Sequence, residues 1–132
     1  MTFRIVDRQW PLVAVARFTL DDLAAATAVD VIELPGNAVV IGGQILVTTA
    51  FDDTSSDDTI EVGDADDADR FGVIGVSALG SEPLTIDNDN AQYSVPTSLT
   101  LTRQDGTTGD ASVGEGLLIV QYVVEGRGNE VH

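Results

Sequence analysis

A chain of 132 residues and 13.9 kDa is one domain's worth, and 43% hydrophobic against 21% charged residues is a globular composition, not a disordered one. Its 22 acids face six basic residues, all Arg, for a net charge of −16, a surface that repels phosphate backbones. There is no Cys and no Lys, and the single His is the last residue, His132, so disulfides, thiolate or multi-His metal sites, His-based triads, Schiff-base chemistry and P-loops are excluded by inventory.

Taken in chain order, the first stretch, Met1 to Asp7, has no apolar run of signal-peptide length, and later apolar runs are broken by Gly, Asp or Arg. The chain is expected to be made in the cytoplasm, soluble and without a membrane partner. Leu12 to Leu20 alternates, with Leu12, Ala14, Ala16, Phe18 and Leu20 on one side, which predicts a strand. Asp21 to Ala26 is the only good helix former, capped by Thr19-x-x-Asp22, and is long enough for one or two turns. Val29 to Leu34 reads as a strand stopped by Pro35-Gly36-Asn37. Ala38 to Phe51 is a long β-rich run in which Gly42-Gly43 predicts a bulge or bend. Residues 52 to 69 then hold nine acids, with Thr59 to Val62 as the only strand-like part. Phe71 to Ala78, Leu84 to Ile86, Ala91 to Val95, Ser98 to Thr102 and Gly116 to Val124 are further strand candidates, separated by turn residues. No repeat or low-complexity linker intervenes. The count and spacing predict an all-β fold: a single antiparallel β-sandwich or jelly-roll-like domain over residues 11–132, with a short N-terminal arm over residues 1–10. The last strand is apolar on both faces for most of its length. It is therefore either central in its sheet or covered by a partner chain.

Charge separates the arm from the body. Residues 1–17 carry a net +2 and the remainder −18. With Phe3, Ile5 and Val6 beside Arg4, Arg8 and Trp10, the arm has the composition of an anchoring peptide, because Arg and Trp are favoured at interface hot spots; the alternative is an ordinary first strand whose Trp fills local core. Asp64-x-Asp66-Asp67-x-Asp69 spaces carboxylates as a hard cation such as calcium requires, with Asp52-Asp53, Asp57-Asp58 or Asp87 to Asn90 as possible completing ligands. It lacks the EF-hand pattern, however, since Ala68 stands at the fifth position and no Gly follows at the sixth. The competing reading is solvated turns in which Arg70 offsets its neighbours. No cofactor is expected. Acids in such turns keep ordinary pKa values, which argues against glycosidase-type catalysis, and no enzyme is expected. Trp10, Tyr93 and Tyr122 are too scattered to suggest a sugar-stacking groove.

The run from Ala28 to Gly36, Val40-Ile41-Gly42-Gly43, Val47 to Phe51, Ile60 to Asp64, Asp69-Arg70-Phe71 and the close from Gly116 to Arg127 together resemble small structural proteins of tailed bacteriophages, of the capsid decoration (cement) or head-fibre type. The likeness spans residues 11 to 127. It implies a β-sandwich on the outer surface of a virion, assembled as a homotrimer at or near three-fold positions, with the major capsid protein as partner and no nucleic acid. The Asp64 to Arg70 loop is then a structural turn. Within that frame Phe3, Arg4, Arg8 and Trp10 are expected to bind the capsid, and Leu117, Ile119, Tyr122 and Val124 to form the oligomer interface. The alternative function is a carbohydrate- or surface-binding sandwich of a fibre or adhesin, with or without calcium.

Overall fold

A chain whose apolar residues alternate, with Gly, Pro and Asp between the runs, can bury them only by stacking one sheet on another. The computed structural model describes residues 9–87 and 91–127. Its strands are β1 (Leu12–Thr19), β2 (Ala28–Leu34), β3 (Ala38–Thr49), β4 (Thr59–Asp64), β5 (Gly72–Gly75), β6 (Gly80–Pro83), β7 (Gln92–Tyr93), β8 (Thr97–Gln104) and β9 (Glu115–Val124). They form two antiparallel sheets. The first has the order β1-β9-β3-β6, with the short β7 also on β3, and the second has the order β2-β8-β4-β5. The chain crosses between the sheets at most connections, as a sandwich requires. β9 is central, between β1 and β3, which satisfies its two apolar faces only in part.

The inward residues meet in one core. Phe18, Phe51 and Phe71 are fully enclosed, with Leu34, Ile45, Ile60, Leu99, Leu101 and Leu118 around them. The paired glycines do make a bulge: the β3–β9 register slips between Val40 and Gly42, which leaves Ile41 exposed and turns Gly43 inward. At Gly43 a Cβ would lie against the Ile119 carbonyl oxygen and 2.8 Å from Leu84 Cδ1. Because the obstacle is largely backbone, Gly43→Ala is expected to cost about 2 kcal/mol or more, measurable as a fall in the urea midpoint with unchanged slope.

The stretch after Thr19 forms no more than the turn or two its length allows, a single 3-10 turn over Leu20–Asp22, with the Thr19 N–H donating to the Asp22 carboxylate at 2.9 Å. Two expectations are corrected. Phe71 to Ala78 is a strand only over Gly72–Gly75, because Val76 turns away to exchange backbone bonds with Phe51 and Asp58 in the preceding loop. Leu84 to Ile86 is not a strand. Leu84 N–H donates to Gly43 and Thr85 N–H to Phe71, so the segment crosses from one sheet to the other, while the polar Gly80–Pro83 supplies the edge strand on Gln44–Val47.

Candidate functional site

Register places the outward residues of the two sheets unambiguously, since directly paired residues share a face. On the first sheet Val13, Val15 and Arg17 of β1 lie beside Gln121, Ile119 and Leu117 of β9, and these beside Gly42, Gln44 and Leu46 of β3. Val13 and Val15 are 55% and 57% exposed, Ile41 is exposed, and Leu117, Ile119, Leu46 and Val123 are half-buried. The charged groups on this face are Arg17 and Glu115, paired to each other at 2.6 Å at one end. The outward side of the second sheet is different in kind: Asp30, Glu33 and Glu61 stand with Ser98 and Gln104 around the buried Thr100 and Thr102, and Val73 beside Glu61 is its exposed apolar residue. A solvated sheet face is ordinarily polar, as the second one is. The first carries a contiguous apolar surface of the sort that marks an interaction site. β1 is also an edge strand, so its outer backbone row lacks a strand partner.

Of the residues expected to form the oligomer interface, Leu117 and Ile119 lie on this apolar face. Tyr122 and Val124 do not share it, because the alternation of β9 turns them to the core side, where Tyr122 packs against the core and Val124 pairs with Ala38. Val13, Val15 and Leu46, absent from that expectation, belong to the face; the signal was present in the odd positions of β1. Trp10 is 63% exposed, and just before it Gln9 pins the chain by two side-chain bonds to Val124, accepting from its N–H at 2.8 Å and donating to its carbonyl at 2.7 Å. Phe3, Arg4 and Arg8 lie outside the described residues. The three aromatic candidates for a sugar-binding row do not form one, since the Tyr93 hydroxyl donates to Asp64 at 2.7 Å and Tyr122 faces the core.

The acids are organised at both ends of the sandwich. At the end where the arm begins, Asp64 is almost fully enclosed. Its carboxylate accepts from Arg70 Nε at 2.6 Å and Nη2 at 3.3 Å, from the Tyr93 hydroxyl, and from the N–H groups of Asp66 and Asp67, both at 3.0 Å. Burial alone would raise its pKa, but the Arg70 and Tyr93 bonds win and hold it below the usual carboxylate range. The Asp64 to Arg70 turn is thus closed by its own arginine, not arranged as a calcium loop. The open depression beside it, about 270 Å³, is lined by Asp64, Arg70 and Tyr93 among others.

At the opposite end the acids fasten two long loops together. Asp52 accepts from the Ser112 hydroxyl at 2.7 Å and from the N–H groups of Ser112 and Val113; Asp110 accepts from Thr54 through its N–H at 2.9 Å and its hydroxyl; Asp57 accepts from the N–H and hydroxyl of Thr107. Bonds from Ser112 hold Asp52 down to about 2, and bonds from Thr107 and Ser55 hold Asp57 down to about 2. These acids are therefore loop fasteners and not a solvated rim. Asp58 behaves oppositely: burial, then the neighbouring charges of Asp53 and Asp105, push it up to about 6.

No protein-family model matches the chain, and no curated protein sequence does either. Solved structures do. A chain of the Cyanophage Pam1 capsid asymmetric unit superposes with a TM-score of 0.70 at 18% identity, covering 92% of this chain and 94% of that one. The fold is shared with chains of phage capsids. A chain of the acidic stable capsid of Helicobacter pylori bacteriophage KHP30 gives 0.67 at 16% identity over 86% and 87%, and one of the Ralstonia phage GP4 capsid gives 0.61 at 20% over 85% and 84%. Coverage is nearly equal on both sides in each pair, so each neighbour is a chain of about this size.

Proposed function

We propose that the chain is a structural virion protein that binds the outside of a phage capsid and stabilises it, a decoration or cement protein, acting as a homotrimer whose partner is the major capsid protein. The observation that carries this reading is the unlike character of the two outer sheet faces, one apolar and one acidic, on a body, residues 11–132, of net charge −17. Copies so strongly alike in charge repel wherever their acids meet, and the apolar first-sheet face is where they can approach. That face is the trimer contact, through Leu117, Ile119, Val13 and Val15. The acidic second-sheet face remains toward solvent. The likeness in size and fold to components of three phage capsids supports the same location.

The arm, residues 1–10, then meets the shell. It leaves the sandwich beside Val124, where Gln9 fixes its base and Trp10 stands exposed, and it carries Phe3, Arg4 and Arg8 beyond that anchor. Arg4 and Arg8 make charge-assisted bonds to shell carboxylates, with Trp10 as an apolar plug. Deleting residues 1–8, which spares Gln9, is expected to leave a folded oligomer that no longer cosediments with shells of the major capsid protein. Full-length protein should reach fixed stoichiometry, and its attachment should weaken only partly with salt, since the Trp10 and Phe3 contacts are not screened. Full occupancy by the truncated chain would move the docking surface onto the sandwich.

A further inference from the structure

The fastened end of the sandwich holds a group that neither the fold nor the assembly surface uses. Asp58 is 1% exposed, and neither of its carboxylate oxygens has a hydrogen-bond partner. Around it, one oxygen each from Asp53, Asp57 and Asp58 lie within 4.8 Å of one another. Asp53 is likewise buried, held by the Ser77 hydroxyl at 3.0 Å and by the Asp57 N–H at 2.9 Å. The nearest cation, Arg103, is committed elsewhere: its Nε donates to the Leu23 carbonyl at 3.0 Å and its Nη1 pairs with Asp105. Three carboxylates converge without a positive charge among them. A buried acid left so is neutralised by a proton or by a metal ion.

We propose that Asp53, Asp57 and Asp58 form a calcium site that locks residues 50–58 to the loops at Ser77 and Thr107. The spacing suits the ion. Oxygens bound to calcium at about 2.3–2.6 Å stand as far as about 5 Å apart across it, so separations within 4.8 Å admit the ion, and its tolerance of irregular coordination suits carboxylates held by loops better than the strict octahedron of magnesium does. Asp58 supplies two free oxygens from the interior, and Asp57, half-exposed, lies where water can complete the coordination. Two of the three ligands already belong to the fastening network, because Asp57 binds Thr107 and Asp53 binds Ser77. An ion there would brace loops that meet through only a few polar contacts.

The test is calcium chloride titrated into EDTA-stripped full-length protein, followed by calorimetry and by thermal melting. One site per chain is expected, with a rise in Tm of about 10 °C at roughly one hundred times Kd. Asp58→Asn should fold without calcium, since it removes the uncompensated buried charge, and should show no response. Should that variant not fold, Asp57→Asn is expected to weaken binding about tenfold or more. Asp66→Asn, on the exposed turn at the other end, should respond like the unaltered protein. Absence of heat and of any Tm shift up to about 10 mM calcium, well above the Kd of weak extracellular sites, would overturn the proposal. So would a full response in Asp58→Asn, or its loss in Asp66→Asn.

Discussion

Replacing Asp64 by Ala is expected to lower stability by about 3 kcal/mol and the melting temperature by roughly 10 °C, the largest effect of any single polar substitution in the described residues. Five donor groups converge on this one carboxylate, and three of them come from Arg70 and Tyr93, which are themselves largely buried. Removing the acceptor strands a guanidinium whose side chain is 15% exposed and a phenol that loses its partner. Because Arg70 can still reach water, the loss falls at the low end of that for a broken buried pair. Asp64→Asn keeps an acceptor for the Asp66 and Asp67 N–H groups but presents an amide to Arg70 and Tyr93, so about 2 kcal/mol should be lost. The pH dependence has a definite sign. Asp64 has a folded pKa below its unfolded value, so its stabilisation is fully present above about pH 4 and is lost as pH falls through the folded pKa. The gap between the unaltered protein and Asp64→Asn should therefore be wide at pH 7 and close progressively below pH 4. A gap independent of pH would mean that the turn geometry, not the charge, is what Asp64 contributes.

How far all this is legible in the sequence depends on whether local pattern and tertiary context agree. β1 and β9 could be read because their alternation coincides with the two sides of a central sheet pair, and the Gly42-Gly43 bulge because only glycine tolerates the approach of β9. Gly80–Pro83 carries no apolar residue, so nothing local marks it as a strand; it pairs because β3 offers an unpaired edge. Leu84 looked like strand because it is apolar, yet its burial comes from filling the gap under Gly43. Hydrophobicity alone groups Tyr122 and Val124 with Leu117 and Ile119, although the period-two rule assigns them the opposite face. The acids posed the harder problem. Asp64 and Asp58 sit in similar Asp-rich strings, and only the fold decides that one receives an arginine and a tyrosine while the other receives no donor.

Charging the apolar face, with Val15→Glu and Ile119→Glu together, is expected to abolish self-association while leaving the fold nearly intact. The two residues are directly paired across β1 and β9, so the substitutions put like charges side by side at the centre of the proposed contact. Each apolar side chain buried in an interface contributes about 1.5–3 kcal/mol, and a carboxylate buried in its place adds a desolvation penalty. Together these exceed about 4 kcal/mol, or roughly a thousandfold in association. In the monomer Val15 is already 57% exposed, so the cost to folding should stay near 1 kcal/mol. Sedimentation should show monomer, and occupancy on shells should fall, because in the proposed trimer three arms bind far more strongly than one. The control is Asp30→Lys with Glu61→Lys on the second sheet, which changes the charge by four units yet leaves the apolar face untouched. Net repulsion between copies falls in that control, so association should be equal or slightly tighter. If the second-sheet variant falls apart while the first-sheet variant stays trimeric, the acidic face is the contact, and the apolar sheet must instead lie against the shell.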